Sequence, residues 1–201
     1  LIVCLDAGHG GKDNGSDYRL RYEKNDNLKI TQAVAAYLAD KENIQVIMTR
    51  SDDTFLSLEE RTSFANQNNA DYFVSLHRNT GEGNGVETWI RSDADDKTQA
   101  LAKNIMDNLD AAGISRNRGV KKGTQKSESK DYYVNLHTNM PACIVELGFM
   151  NSPTDNQLFD ANVENYAKAI GDAVLKTYEA YGKDGADATE SVEDVPGTEE
   201  Q

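Results

Sequence analysis

Leu1-Ile2-Val3-Cys4-Leu5-Asp6-Ala7-Gly8-His9-Gly10-Gly11 is the stretch that decides the fold. Five apolar residues run into a small-residue break that carries one histidine. A short continuous apolar run ended by glycines suits a strand covered on both faces. In open α/β sheets, ligands sit just beyond the carboxyl ends of such strands, and His9 lies at that place. The glycines let the chain turn tightly beside the imidazole. The plainer alternative is a glycine turn with an incidental histidine.

The rest of the chain alternates strand and helix patterns. From Lys24 the spacing of Leu28, Thr31, Val34, Ala35 and Leu38 predicts a helix, whereas Tyr18 to Glu23 reads as polar and exposed. Ile44 to Thr49 reads as a strand. Ser57 with Glu60 makes a capping box for a helix to about Asn69. Tyr72 to Leu76 is a third strand, ending directly in His77, and Val86 to Ile90 a fourth. Ser92 with Asp95 caps a helix through Leu109, closed by Gly113. Arg116 to Lys130 reads as a basic, polar stretch, and Tyr132 to Leu136 as a short strand. Ala142 to Leu147 is an apolar run with one acid, Glu146. Ser152-Pro153 opens a helix, and a last one spans about Asn162 to Tyr181. Such alternation predicts an α/β fold: one mostly parallel, mixed central sheet of about six strands, with helices on both faces.

The chain's 201 residues suit one such domain over residues 1–181. The net charge of -13 argues against nucleic acid or an anionic membrane as partner. Residues 182–201 hold seven acids and one lysine, with little apolar content, and read as a disordered acidic tail. No run approaches a membrane span. No charged-then-apolar leader opens the chain, which fits either a cytosolic protein or one without its export signal. Cys4 and Cys143 read as buried thiols, a disulfide being the minor alternative if their strands are neighbours. There is no Cys-x-x-Cys pair for a structural zinc site.

His77 follows its strand as His9 follows the first, and Glu146 sits in the last. A carboxylate in an apolar strand is costly unless paired, protonated or metal-linked. Two readings follow: a metal site, or a strand-end histidine with Glu146 in a salt bridge to Arg50 or Arg78. His137 reads as surface or structural, and Trp89 as core or sheet face. Lys121, Lys122, Lys126 and Lys130 read as a solvated basic loop that could also meet peptide carboxylates.

A series of motifs carries a resemblance. It runs Leu-Asp-Ala-Gly-His-Gly-Gly-Lys-Asp (5–13), Tyr-Glu-Lys-Asn (22–25), Met-Thr-Arg-Ser-Asp (48–52), Leu-Glu-Glu-Arg (58–61) and Ala-Asn (65–66). It continues with Ala-Asp-Tyr-Phe-Val-Ser-Leu-His-Arg-Asn (70–79), Gly-Val-Glu-Thr-Trp (85–89), Arg-Gly-Val-Lys (118–121) and Met-Pro-Ala-Cys-Ile-Val-Glu-Leu-Gly-Phe-Met-Asn (140–151). In this order the chain resembles the zinc-dependent N-acetylmuramoyl-L-alanine amidases of the autolysin type, from Leu1 to about Tyr181. The resemblance implies one Zn2+ per chain held by His9, Glu23 and His77, with Glu146 as the catalytic carboxylate. It implies peptidoglycan as substrate, a monomer, and action outside the cytoplasm, in the cell wall or secreted.

Asp6 and Asn79 are then candidates to orient the histidines, strand-end capping being the alternative. Arg78 stands where the family often has a small residue and is expected to reach toward substrate. Glu87 is expected either to line the groove or to be solvated. Two competing functions are a catalytically silent wall-binding domain and a zinc peptidase acting on the stem peptide.

Overall fold

The computed structural model describes residues 1–125 and 129–182. Lys126 of the basic stretch, and the acidic tail beyond Gly182, lie outside the described residues. Six strands form one sheet: β1 (Ile2–Ala7), β4 (Gln45–Met48), β5 (Tyr72–Asn79), β6 (Val86–Ile90), β7 (Asn117–Lys122) and β8 (Ala142–Phe149). Their order is β4-β1-β5-β8-β6-β7. Every neighbouring pair is parallel except β6 and β8. A two-stranded hairpin, β2 (Asp17–Tyr18) and β3 (Arg21–Tyr22), stands apart. The helices are α1 (Glu23–Ala39), α2 (Leu58–Gln67), α3 (Asp96–Ala111), α4 (Tyr133–His137) and α5 (Pro153–Tyr181).

Side chains alternate across each strand, and both faces are apolar. Val3, Leu5, Val74, Leu76, Val145 and Leu147 pack with Ile30, Leu101 and Ile170 of α1, α3 and α5. Cys4, Phe73, Ala142 and Ile144 pack on the other face with Ala65 of α2 and Val134 of α4. The expected class, a mixed and mostly parallel six-stranded sheet between helices, is the observed one. The Ser57–Glu60 capping box is present with both bonds made, and Pro153 opens α5 behind the Ser152 cap. The two last expected helices are one, interrupted at Asn162 (φ −124°). Among the described residues no helix is long and apolar enough to cross a membrane.

Several local expectations need correction. The stretch 18–23 is not simply exposed. It forms the hairpin, whose turn at Arg19 and Leu20 has positive φ, and it delivers Glu23 into the interior at 3% exposure. The strand at Tyr72 does not stop before His77. It continues to Asn79, because β8 keeps pairing with it and sets His77 beside Glu146. The basic stretch contains β7, an edge strand paired only with β6, where one aliphatic residue, Val120, suffices. Tyr132 to Leu136 forms most of the short helix α4 rather than a strand, an ambiguity inherent in short apolar runs. Asp95 alone caps α3; the Ser92 backbone N–H and hydroxyl donate to Asp131 instead. Cys4 and Cys143 are both buried and free, for β5 lies between their strands.

Candidate functional site

The site forms where β1, β5 and β8 meet α1. The loop after β1 carries His9 with φ +61°, a conformation rare outside glycine. Two buried arginines hold this loop from beneath. Arg50 donates to the carbonyls of Ala7 at 2.8 Å and Gly8 at 3.0 Å. Arg61 donates to those of Ala7 at 2.7 Å and His9 at 2.8 Å. Such over-determination is what lets a strained backbone persist at a functional site.

Glu23, the first residue of α1, is the hub. Its Oε1 lies 3.4 Å from His9 Nε2 and 3.0 Å from His77 Nδ1. It also accepts the Arg78 backbone N–H at 3.1 Å, while Oε2 accepts that of Ser16 at 2.8 Å. The donor atoms of His9, Glu23 and His77 all lie within 4.8 Å of one another. The two imidazoles meet edge to face, with centroids 5.0 Å apart. Two glycines keep the space open. A Cβ at Gly8 would stand 2.1 Å from His77 Cε1, and one at Gly15 would stand 2.6 Å from His9 Cδ2 and 2.7 Å from Glu23 Oε2.

The charges agree with a shared cation. Burial would raise the Glu23 pKa, but hydrogen bonds from His77 and His9 hold it well below the carboxylate range. Burial would lower that of His9, yet Glu23 and Asp13 raise it to about 9. A carboxylate between two imidazoles stabilises positive charge there, and a metal ion would take the protons' place. Two imidazoles and a carboxylate are the donor types of a three-ligand, zinc-type catalytic site. The Asp13 carboxylate, 2.8 Å from His9 Nδ1, orients the ring so that Nε2 faces the cluster.

Glu146 stands next to His77 on β8. Its Oε2 is buried and has no hydrogen-bond partner. Burial pushes its pKa up from 4.5 to about 7, with Glu23 and Glu87 adding to the shift and His77 opposing it. Neither arginine suggested as its salt-bridge partner serves it. The Arg50 guanidinium donates to backbone carbonyls of Ala7, Gly8, Lys24 and Asp52, and Arg78 pairs with Asp26.

The supporting residues differ from expectation. Asp6 does not orient a histidine. It is buried under α2, where it accepts from Arg61 at 2.8 Å, Ser75 at 2.5 Å and Thr49 at 2.6 Å. Asn79 donates to Glu87 at 3.0 Å. The Arg78 side chain does not reach for substrate. It follows His77 on the strand and so takes the other face, binding Asp26 and Asn156 over the Phe159 ring. Glu87 is neither groove wall nor solvated. It is buried beneath the site and bonds Arg118, Trp89, Asn79 and Gln125. The sequence reading passed over Asp13 as an orienting group, although an acid four residues after His9 was a visible signal.

A cleft of about 780 Å³ opens over the cluster. Phe55, Leu58, Gln125, Tyr132, Leu136 and His137 line it beyond His9, Glu23, His77 and Glu146.

The family model described as N-acetylmuramoyl-L-alanine amidase matches residues 3–176. The uncharacterized protein YqiI of Bacillus subtilis (strain 168) is 36% identical over 182 residues, covering 89% of this chain and 84% of that protein. The sporulation-specific N-acetylmuramoyl-L-alanine amidase of the same organism is 31% identical over 154 residues, covering 76% of this chain. The match spans 58% of that relative's length. The crystal structure of N-acetylmuramoyl-L-alanine amidase from Clostridium difficile 630 superposes with a TM-score of 0.82 at 33% identity, covering 90% of this chain and 98% of the other. With a family model matched along nearly its whole described length and the same architecture in a solved relative, this chain belongs to the N-acetylmuramoyl-L-alanine amidase family.

Proposed function

We propose that residues 1–181 form a zinc-dependent catalytic domain that hydrolyses the amide between N-acetylmuramic acid and L-alanine of the peptidoglycan stem. The observation that carries this reading is the His9–Glu23–His77 cluster with the buried, unpartnered Oε2 of Glu146 beside it. Residues 182–201 are an appended acidic tail, and the domain works as a monomer on cell wall outside the cytoplasm.

His9, Glu23 and His77 would hold one Zn2+. Bound there, the ion supplies Lewis-acid polarisation of the scissile carbonyl and acidifies a water. The protein's own residues do the rest. Glu146 takes a proton from the attacking water and passes it to the leaving amine nitrogen of L-alanine. Burial in its strand raises the carboxyl pKa above the ordinary carboxylate value, which favours taking up the proton before it is passed on. Asp13 holds the His9 ring, and Arg50 and Arg61 hold its loop.

His9→Ala is expected to abolish stoichiometric zinc binding and activity while the protein stays folded, because the side chain is part of a surface loop. Metal analysis, with circular dichroism as the folding control, checks this. Full zinc occupancy in the variant would refute the ligand assignment.

A further inference from the structure

All three histidines of the chain line the one cleft, and only two belong to the metal cluster. The third, His137, ends α4. Although it is exposed, it is held rigidly. Its ring stacks on Tyr133 with centroids 3.9 Å apart and planes 16° from parallel. Its carbonyl accepts from Asn66 of α2 at 2.9 Å, and the Asn139 N–H donates back to the same Asn66 side chain at 2.9 Å. One turn earlier, Val134 is buried in the core against α2 and β8.

The ring's tautomer is fixed as well. Nδ1 lies 3.0 Å from the Tyr133 carbonyl oxygen. A carbonyl only accepts, so Nδ1 carries the hydrogen and the neutral ring keeps its lone pair on Nε2. Among the described residues, no hydrogen bond or ion pair uses that nitrogen. His137, a cleft-lining residue, therefore carries a pre-oriented acceptor on a stacked aromatic support, apart from the His9–Glu23–His77 cluster. Fixing such a group in advance removes the ordering cost that a ligand would otherwise meet. The cleft also offers apolar surface: among the described residues, Phe55, Leu58 and Leu136 are three of the four exposed large hydrophobic residues, and all line it.

We propose that His137 is a substrate-contact residue whose Nε2 accepts a hydrogen bond from a neutral donor of the wall fragment. This rests on the amidase reading of the cleft. The donor is a saccharide hydroxyl or acetamido N–H, or a stem-peptide N–H. The contact sets affinity and leaves the chemical step to Glu146.

The test uses the full chain loaded with zinc and carrying Glu146→Gln, so that ligands bind without being consumed. Calorimetry would measure a disaccharide-tripeptide, the corresponding single-sugar tripeptide, and the free tripeptide. His137→Phe keeps the stack on Tyr133 and removes the acceptor; His137→Gln restores an acceptor near the Nε2 position. The expected result is a Kd raised about 3–10-fold by the Phe variant, a net hydrogen bond's worth, with unchanged melting temperature and partial recovery in the Gln variant. A loss seen only with the sugar-bearing ligands assigns the donor to the saccharide. A loss shared by the free tripeptide assigns it to the peptide. Binding of all three ligands within twofold of the parent in the Phe variant overturns the proposal. So does a Gln variant that binds no better than Phe. If the protein with Glu146 intact released no stem peptide while these binding losses held, the amidase reading would fall and the His137 contact would stand.

Discussion

Glu146→Gln should lower turnover by about 10²–10⁴-fold or more, the worth of general acid–base catalysis, while zinc content stays at one per chain. The amide keeps the shape of the side chain but cannot accept the water's proton. None of the three proposed ligand side chains, those of His9, Glu23 and His77, is touched. Stability should move the opposite way to activity. In the folded protein burial raises the carboxyl pKa from 4.5 to about 7. An acid with a raised folded pKa favours the native state below its unfolded value, and that contribution is lost as pH rises through about 7. The chelated wild-type protein should therefore lose stability between about pH 5 and 8 relative to Glu146→Gln. The difference should be on the order of 2–3 kcal/mol at the alkaline end. Melting curves of both proteins across that range, with zinc analysis and stem-peptide release, read every part of this. A variant that melts lower at pH 8 and still cleaves would mean that Glu146 is a structural ion-pair residue.

Arg61→Ala should be the most destabilising single change at the site. Asp6 and Arg61 are almost fully buried and joined at 2.8 Å. Arg61 also ties the carbonyls of Leu56, Ala7 and His9 together. Removing one partner of a buried pair leaves the other charge uncompensated, at a cost of about 3–5 kcal/mol. For a domain of this size that is roughly a 6–20 °C fall in melting temperature. Because the His9 carbonyl is released with it, zinc affinity should drop even at temperatures where the variant is folded. Differential scanning calorimetry and a competitive zinc titration measure the two effects. A melting temperature within 1 °C of wild type would show that the pair contributes nothing.

What the sequence made legible follows from where apolar pattern exists. The strands holding Cys4, Phe73 and Ile144 are continuous apolar runs, so the sheet, the place of His9 and the oddity of Glu146 can be read from residues alone. Glu23 cannot be. It enters the interior through a hairpin of polar residues, and the bonds that hold it come from Ser16 in the preceding loop and from His77 and Arg78, far along the chain. Only the likeness to a family pointed to it. β7 was hidden because an edge strand needs little apolar surface. One wrong direction was avoidable: strand side chains alternate, so Arg78 must take the face opposite His77. Asp6 shares the face of His77, and only Arg61, Ser75 and Thr49, which take up its carboxylate, divert it from the histidines. His137 reads from sequence as a surface or structural residue, and it is exposed; its setting comes from the packing of α4 on α2, which leaves no periodic trace in five residues.

The most direct test of the amidase account is mass spectrometry of the fragments released from purified peptidoglycan by the zinc-loaded protein. The account predicts intact stem peptides with a free L-alanine amino terminus, and glycan strands stripped of peptide at their lactyl groups. Release of single amino acids from the stem, or of no fragments by a protein shown to hold one zinc, would contradict it.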